Sequence, residues 1–179
     1  RAETMQLPVH GYGEAGVLAR AFARMADEVR EKTAVLLDSE RMARGIVDTA
    51  LDAFVQMDEA GKIVDWNLQA EAIFGWSRDE AVGKVLADLI VPENYRARHR
   101  EGLARFLRHG ESAILGKRFG IEALRRNGEE IKVELSITAL RRQGRYVFNA
   151  FIQDSTDRLA AEEQLRHAQK MEAVGQLTG

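Results

Sequence analysis

The sequence contains no cysteine among its 179 residues. This absence excludes disulfide bonds, thiol nucleophiles, iron–sulfur ligation and cysteine-based zinc sites. It also excludes flavin photochemistry that proceeds through a cysteine adduct. A chain without cysteine is compatible with a reducing compartment such as the cytoplasm.

Proline and long apolar runs are also scarce. Pro8 and Pro92 are the two prolines, so most of the chain is free to form uninterrupted helices. No run approaches the ~20 apolar residues that span a bilayer, and the start has no signal-peptide pattern. Because the chain opens as RAETMQLP, without an initiator Met, we expect an excised fragment, with room for a membrane anchor upstream.

Charge of one sign is not in excess, because 26 Lys and Arg are balanced by 28 Asp and Glu. The resulting net charge of −2 gives no electrostatic reason to expect nucleic acid or an anionic membrane as a partner. Three of the histidines, His10, His109 and His167, lack metal-ligand spacing. No phosphate loop or Ser/His/Asp set is present, so the composition and motifs point to no catalytic site.

A narrow apolar stripe runs from residue 14 to about residue 51. Its three-, four- and seven-residue steps are those of a heptad seam. So thin a stripe favours a long helix that pairs with a second copy of the chain, the alternative being a helix packed on its own domain. The members of the stripe are Leu18, Phe22, Met25, Val29, Leu36, Ala43, Ile46 and Ala50.

The start of this region also carries a family pattern, formed by Leu7-Pro8, Glu14, Gly16, Leu18, Phe22 and Met25. With these residues the first thirty positions resemble the second half of a HAMP domain, a linker module found just inside the membrane in sensor proteins. The sequence departs from that family at Gly13 and Ala15. The resemblance implies a HAMP-like half-module over residues 1–33, followed by a coiled-coil linker over residues 34–46.

From about residue 49 the apolar period shortens towards two, the period of strands. Residues 53–58 and 63–67 predict a hairpin, and further strands are predicted at 114–126, 129–140 and 145–153. Short helices and a longer one, from residue 92 to about 108, separate the two groups. Ser77 and Glu80 form a capping box, and Asn127-Gly128 predicts a type I′ turn. This order predicts an α+β fold with a five-stranded antiparallel sheet.

Several separated motifs then carry a second resemblance. They are Asn67, Ala70, Phe74-Gly75-Trp76, Gly83-Lys84, Arg125-Arg126-Asn127-Gly128 and the closing Asp154-Ser155-Thr156. In this order they resemble a PAS domain, which covers residues 47–157. The resemblance implies the PAS fold, with flanking short helices, bracketed here by long N- and C-terminal coiled-coil helices.

Asp154 and Thr156 resemble the Asp-x-Thr element that joins a PAS sheet to its output helix. One of the two side chains can cap a helix starting near Asp157, while the other ties the junction to the sheet. A distortion of the sheet would then reach the helix as a change of angle or register. A plain helix cap without signalling content is the alternative.

Residues 93–108 resemble a helix of haem-containing, oxygen-sensing PAS kinases, with His99 at the position of the iron ligand. The resemblance implies that Arg105 contacts a haem propionate and that Ile114, Leu135 and Ile137 line an apolar pocket. It departs at Phe119 and Ala113, where that family has an oxygen-sensing Arg and a propionate-binding His. The alternatives are a partly exposed helix histidine without haem, another small ligand, or an empty core. Other expected wall residues are Phe106, Ile121 and Phe148.

The last fifteen residues, LRHAQKMEAVGQLTG, resemble the first helix of the phosphotransfer domain of two-component sensor kinases. The phosphate-accepting His of that family follows such a run, and here the chain ends first. We therefore expect no enzyme activity from this chain, within a parent that is an ATP-dependent histidine kinase. An apolar stripe in residues 158–179 favours a parallel helical pair and comprises Leu159, Leu165, Ala168, Met171, Val174 and Leu177.

Together these patterns predict the dimeric signal-transmission region of a sensor histidine kinase. It would lie in the cytoplasmic portion of an inner-membrane protein, with a response regulator as partner of the missing kinase region. Two rivals are a haem gas sensor that uses His99 and a ligand-free dimerisation spacer. A PAS module attached to a cyclase or chemoreceptor is a third, which the resemblance of the tail disfavours.

Overall fold

The computed structural model describes residues 10–110, 112 and 114–177, and the chain divides between Ile46 and Val47 into two units. The first unit contains all but the last two residues of α1 (His10–Asp48), a continuous helix of 39 residues. Its apolar stripe is exposed: Leu18, Phe22 and Leu36 have 68%, 72% and 60% of their surface accessible. The Leu7-Pro8 pair of the HAMP-like pattern lies outside the described residues.

The second unit is an antiparallel five-stranded sheet with helices, as predicted. The strand order is β2-β1-β5-β4-β3, so β3 and β2 are the edges. The elements in chain order are β1 (Ala53–Asp58), β2 (Ile63–Trp66), α2 (Leu68–Phe74), α3 (Arg78–Ala81), α4 (Leu86–Ile90), α5 (Glu93–His109), β3 (Arg118–Leu124), β4 (Glu130–Arg142), β5 (Arg145–Asp154) and α6 (Thr156–Leu177).

One face of the sheet forms the core of this unit. In β4 the residues Ile131, Val133 and Leu135 are buried, whereas the intervening Lys132 is exposed, as strand alternation requires. The core is completed by fully buried side chains from β2 and α2, including Trp66 and Phe74, whose ring centroids are 5.4 Å apart. The short helices therefore cover the same face that the strand pattern predicts to be apolar.

Asn67 is a fully buried polar residue at the start of α2. Its Oδ1 accepts the backbone N–H groups of Phe54 and Ala70 at 2.8 and 2.9 Å. Its Nδ2 donates to the carbonyls of Val47 and Asp52 at 2.8 and 3.2 Å. One side chain thus caps α2 and joins three separate segments of backbone.

The turn predicted at Asn127-Gly128 has a different geometry. Gly128 has a φ of 86°, but Asn127 does not adopt a positive φ, so a type I′ turn there is wrong. The N–H of Gly128 donates to the carbonyl of Arg125 at 3.0 Å, which gives a type I turn followed by a left-handed glycine. The two positive φ values occur instead at Gln143 (51°) and Gly144 (83°), between β4 and β5.

The strand predicted from residue 114 begins later, at Arg118. Gly116 has a φ of 71°, and its N–H donates to the carbonyl of Ile137 at 2.9 Å. This left-handed residue turns the chain before it joins the sheet, so the apolar Ile114 belongs to a loop. The capping box at α3 is confirmed, because the Ser77 side chain accepts from the backbone of Glu80 and the Glu80 side chain accepts from the backbone of Ser77.

Candidate functional site

A cavity of about 910 Å³ lies between α5 and the strands β3, β4 and β5. This volume is within the range of roughly 300–1,000 Å³ that is usual for small-molecule sites. Most of its wall is apolar and includes Leu103, Phe106, Phe119, Ile137 and Phe148. Phe106 packs edge-on against Phe148, with ring centroids 5.4 Å apart, so the α5 side of the wall is held against β5.

Four of the five residues predicted to form a ligand pocket line this cavity: His99, Arg105, Ile114 and Ile137. The fifth, Leu135, is not among the lining residues. It is 6% exposed within the core, because its neighbours on β3 and β5, Phe119 and Ile152, lie beside it in the sheet. Phe119 lines the cavity, and Ala113 lies outside the described residues.

His99 lines this cavity, and one nitrogen of its imidazole ring is buried. Its Nδ1 is inaccessible to solvent and has no hydrogen-bond partner in the described part of the chain. Burial lowers the pKa of His99 below its ordinary value of 6.5, and the nearby charge of Arg100 lowers it further. The imidazole is therefore neutral at pH 7.

The lowered pKa of His99 predicts a pH dependence of stability. The unfolded chain takes up the proton near pH 6.5, whereas the folded chain resists it, so stability is full above that pH. The free energy of unfolding should therefore fall as the pH drops below 6.5, and the His99→Gln variant should lose this dependence. Urea denaturation between pH 7.5 and 5 measures it. His109→Gln, at the exposed end of α5, is the control, and equal slopes for the two variants would contradict the assignment.

Two arginines flank a gap on the cavity side of α5. Arg98 and Arg105 are seven residues apart, two helical turns, and Gly102 lies between them; all three line the cavity. A Cβ at Gly102 would meet nothing within 4 Å. Among the described residues, no carboxylate lies within ion-pair distance of either guanidinium. Arg98 and Gly102 are not predicted as site residues, although their helical spacing relative to His99 and Arg105 is a signal that finds them.

The junction between the sheet and α6 is a cluster of hydrogen bonds to one residue of β4. Ser155 donates its backbone N–H and its Oγ to the carbonyl of Lys132 at 2.9 and 3.0 Å. The Oγ1 of Thr156 accepts the N–H of Lys132 at 3.1 Å and contacts its carbonyl at 3.4 Å. Ser155 is 2% exposed. It belongs to the junction, although the Asp-x-Thr pattern does not specify the residue at its position.

Asp154 connects the start of α6 with the turn before β4. Its Oδ1 accepts the N–H of Thr156 at 2.9 Å, and its Oδ2 pairs with the guanidinium of Arg125 at 2.7 Å. Burial pushes the pKa of Asp154 upward, but the bonds from Thr156 and the charge of Arg125 outweigh it and hold the pKa below its ordinary 3.8. One turn into the helix, Arg158 binds Glu134 of β4 and Glu162 of α6.

The cavity and the junction share residues. Lys132, Glu134, Ser155 and Leu159 belong to the junction and also line the cavity. Val133, between the first two, faces the opposite side of β4 and lines it as well. The cavity lining therefore includes residues from both faces of β4, together with Ser155 and Leu159 at the root of α6.

The sequence of this chain matches a known protein family. Residues 41–154 match the model of the family described as PAS fold. The chain belongs to the PAS family. Its PAS sheet is also similar to the solved PAS domain of an HTR-like protein from Haloarcula marismortui, with a TM-score of 0.56 and 20% identity over 70% of this chain and 98% of that one. That likeness concerns the fold alone.

Three relatives match most of this chain, and two of them are named as a sensor protein and a histidine kinase. A protein of Azorhizobium caulinodans is 39% identical over 151 residues, which cover 84% of this chain and 20% of that protein. Sensor protein FixL of Bradyrhizobium diazoefficiens is 28% identical, covering 84% and 31%. Cell-division control histidine kinase PdhS of Brucella anthropi is 30% identical, covering 86% and 14%. The chain therefore spans less than a third of each of these relatives.

Two further features of the PAS chain concern metals and membranes. In the part of the chain that the structure describes, no group of three His, Asp or Glu side chains is arranged to hold a metal ion. Among the same residues, no helix combines the length and the apolar character that a membrane span requires.

Proposed function

We propose that this chain is the dimeric sensory and signal-transmission region of a two-component sensor histidine kinase. In this function the PAS cavity receives a small molecule, and its occupancy alters the attachment of α6. The observation that carries the proposal is that the cavity wall includes Ser155, which directly precedes α6, and Leu159, in the first turn of α6. The relatives named as a sensor protein and a histidine kinase support the same class of function.

The physical route is short. The carbonyl and N–H of Lys132 hold Ser155 and Thr156, while Val133, the next residue of β4, lines the cavity. A ligand that displaces β4 would change the direction of the Lys132 groups and hence the geometry of the hydrogen bonds that hold α6. Since none of the residues of α6 is buried, these bonds and the ion pair between Arg158 and Glu134 are its main attachments to the sheet.

The proposed organisation keeps four segments: a HAMP-like half-module at residues 1–33, a coiled-coil linker at 34–46, the PAS sensor at 47–157 and an output helix at 158–179. The parent would be an inner-membrane protein with this region in the cytoplasm. A response regulator would receive phosphate from the kinase region downstream, which would itself use ATP.

The relay is tested in the full-length kinase. Autophosphorylation with labelled ATP is compared between the unaltered protein and the double variant Ser155→Ala/Thr156→Val, which removes the side-chain bonds to Lys132. We expect the variant to change the rate, because α6 is no longer held in its native direction. The control is Ser136→Ala/Thr138→Val, which makes the same types of replacement within β4, away from the junction. Equal rates for the two double variants would show that the junction does not control the output.

Dimerisation is proposed through both terminal helices, because their apolar stripes are exposed in the single chain. Burying such a stripe against a second copy would remove it from water, and Leu36 is one of its central members. We expect Leu36→Glu to weaken the dimer by about tenfold or more, as measured by analytical ultracentrifugation. The matched control is Leu37→Glu, also exposed but about 100° further around α1 and outside the stripe. If both variants dissociate alike, or neither does, the stripe is not the interface.

A haem group in the cavity is the second candidate, favoured by the neutral histidine His99 on the cavity wall. The residues present fit such a group: His99 would hold the iron, and Arg98 and Arg105 would face the propionates. Haem iron would supply reversible binding of a diatomic gas. Phe119, on the cavity wall, would offer the bound gas no hydrogen-bond donor. A Soret band that disappears in His99→Ala would support this candidate. A protein that stays colourless after addition of haemin would eliminate it, and a ligand-free spacer would show neither haem nor any other ligand.

A further inference from the structure

We infer that the β3 edges of two copies of this chain pair with each other, antiparallel and centred on Gly120. This contact goes beyond the proposed sensory function and is separate from the helical contact proposed for α1 and α6. Three features of β3 carry it: a long regular edge, outward backbone groups at Gly120, and side chains that complement themselves about that residue.

The two edges of the sheet differ. β2 has four residues, and the register of its pairing with β1 shifts between Gln56 and Met57. Its outer edge is also covered, because Ile63 donates its N–H to the carbonyl of Lys84 and accepts the N–H of Gly83, both at 2.8 Å. By contrast, β3 has seven residues, contains no proline and pairs with β4 along its whole length without a shift. A long regular edge of this kind is a template for a further strand.

The direction of the backbone groups of β3 follows from the ladder. The N–H of Arg125 donates to the carbonyl of Glu129 at 2.9 Å, so every second residue before Arg125 bonds to β4. The N–H of Ser155 donates to the carbonyl of Lys132 at 2.9 Å, so Lys132 bonds away from β3, and Glu122 opposite it bonds away from β4. The residues whose N–H and C=O groups point to the open edge are therefore Arg118, Gly120, Glu122 and Leu124.

A second copy of β3 would satisfy these outward groups, to which no hydrogen bond is made by the residues that the structure describes. With a two-fold axis at Gly120, the residues 118, 120 and 122 would each exchange two N–H···O=C bonds with the residue opposite. Phe119 would face Ile121 of the partner subunit, on the side of the sheet that lines the cavity. The partner strand would thus extend the cavity wall.

The charged side chains select this register. Arg118 and Glu122 lie two residues on either side of Gly120, so the same axis places Arg118 opposite Glu122 of the partner subunit. Opposite charges that face each other across two strands are stabilising, whereas like charges are destabilising. An axis at residue 118 or at residue 122 would place two arginines or two glutamates opposite each other. The strand is therefore complementary to itself about Gly120.

The contacts that these side chains make within the chain are weak. A guanidinium nitrogen of Arg118 lies 3.9 Å from the carboxylate of Asp52, and Glu122 accepts the Tyr95 hydroxyl at 3.3 Å. Arg118, Gly120 and Glu122 are all exposed, and exposed ion pairs contribute little to stability. Both charged side chains can therefore turn to a partner subunit at small cost.

Cysteine crosslinking of the full chain tests the contact and its register, because the chain has no cysteine of its own. In the proposed pair the two Gly120 Cα atoms would lie about 5.5 Å apart, within the range of a disulfide. Gly120→Cys should therefore crosslink to itself under mild oxidation. Glu122→Cys is the control, because its two copies would lie about 14 Å apart. A mixture of Arg118→Cys and Glu122→Cys chains should crosslink.

Crosslinking is the appropriate measurement because it traps weak contacts, and a pair of single strands is smaller than a standard interface of about 1,200–2,000 Å². Equal yields for Gly120→Cys and Glu122→Cys would show random collision and overturn the inference. No crosslink in any of these chains would also overturn it, and would leave the edge to a strand of a different protein.

Gly120→Pro separates pairing from folding. Because the N–H of Gly120 points to the open edge, proline leaves the ladder with β4 intact and removes a donor from the contact. In the mixture of Arg118→Cys and Glu122→Cys chains, Gly120→Pro should lower the yield at least about tenfold. Gly120→Ala is the control: it keeps the N–H, and its Cβ would lie 3.8 Å from the carbonyl of Val133, an ordinary contact. An unchanged yield with Gly120→Pro would contradict pairing through the backbone.

A charge exchange tests the register without proline. In the Gly120→Cys chain, Glu122→Arg places arginine opposite Arg118 of the partner subunit, so the yield of the crosslink should fall. Adding Arg118→Glu restores opposite charges in the reversed order and should recover the yield. Melting temperatures measured for the same chains report any change in folding. A yield that stays low in the double exchange, in a chain with unchanged melting temperature, would refute the register.

Discussion

Asn67→Ala is expected to lower the free energy of unfolding of the PAS unit by about 4 kcal/mol. Few positions in the chain combine complete burial with four hydrogen bonds from one polar side chain. Alanine would leave two buried N–H groups and two carbonyls without this partner. It would also remove the cap of α2.

The effect on stability is large because the amide of Asn67 is the hydrogen-bond partner of four backbone groups. Oδ1 satisfies Phe54 on β1 and Ala70 in α2, while Nδ2 satisfies Val47 and Asp52. Each such bond contributes about 1 kcal/mol net, and each buried group left unpaired costs more than the bond itself was worth. Asn67→Asp keeps the acceptor but loses both donors and places a charge against two carbonyls, so it should also destabilise the unit.

Urea denaturation followed by tryptophan fluorescence measures the change, since both tryptophans, Trp66 and Trp76, lie in the PAS unit. Asn94→Ala is the matched control, because Asn94 is exposed on α5 and the same atoms are removed. That variant should stay within about 0.5 kcal/mol of the unaltered chain. A loss below about 1 kcal/mol for Asn67→Ala would mean that water or backbone movement satisfies the four groups.

The second large effect is expected at the root of α6. In Ser155→Ala/Thr156→Val, the side-chain hydrogen bonds to Lys132 are lost, while the backbone bond from Ser155 remains. At about 1 kcal/mol for each of three bonds, the opening of the first turns of α6 should become about a hundredfold more frequent. The helix has no buried residues with which to offset this loss.

Hydrogen–deuterium exchange of peptides that cover residues 156–164 measures this opening. The double variant Ser136→Ala/Thr138→Val serves as control, because it makes the same replacements on β4 away from the junction. Exchange that accelerates equally in both would indicate general loosening of the sheet. Unchanged exchange in the junction variant would show that backbone bonds alone hold the helix.

Low pH should weaken the junction between the sheet and α6, because Asp154 becomes protonated. Its pKa is held below the ordinary 3.8, so its bonds to Thr156 and Arg125 contribute fully above that pH. The contribution is lost as the pH falls from 3.8 through the lower folded value. At neutral pH, Asp154→Asn should therefore accelerate hydrogen exchange at the root of α6. At a pH below the folded pKa of Asp154, the variant and the unaltered chain should exchange at the same rate.

Much of the fold follows from local patterns. Period-two alternation from Ile131 to Ile137 places β4 with one buried face, and the Ser77–Glu80 spacing places the start of α3. The turn types do not follow from local patterns, because an Asn-Gly pair is compatible with more than one turn type. The partner strand decides: at Gly128 the hairpin closes by a type I turn, and the two left-handed residues occur at Gln143-Gly144.

The candidate site was predictable in part. A resemblance placed His99 and Arg105 on the helix that lines the cavity, and their spacing already contains Arg98 and Gly102. Leu135 is packed in the core beside the cavity, which the pattern could not show, because alternation states which face of β4 a residue occupies, and not whether that part of the face meets a cavity or packed side chains. Ser155 was missed because a small residue between two polar ones carries no periodic signal.

The sequence by itself determined the strand and helix order, the apolar stripes of the two long helices and the absence of cysteine chemistry, because these depend on residue type and spacing along the chain. Only the tertiary structure decided that the cavity reaches Ser155 and Leu159, that Lys132 holds the root of α6, and that the arginines of α5 stand unpaired beside a gap. These facts depend on contacts between residues far apart in sequence, such as Lys132 and Ser155, whose pairing follows from the register of β4 against β5.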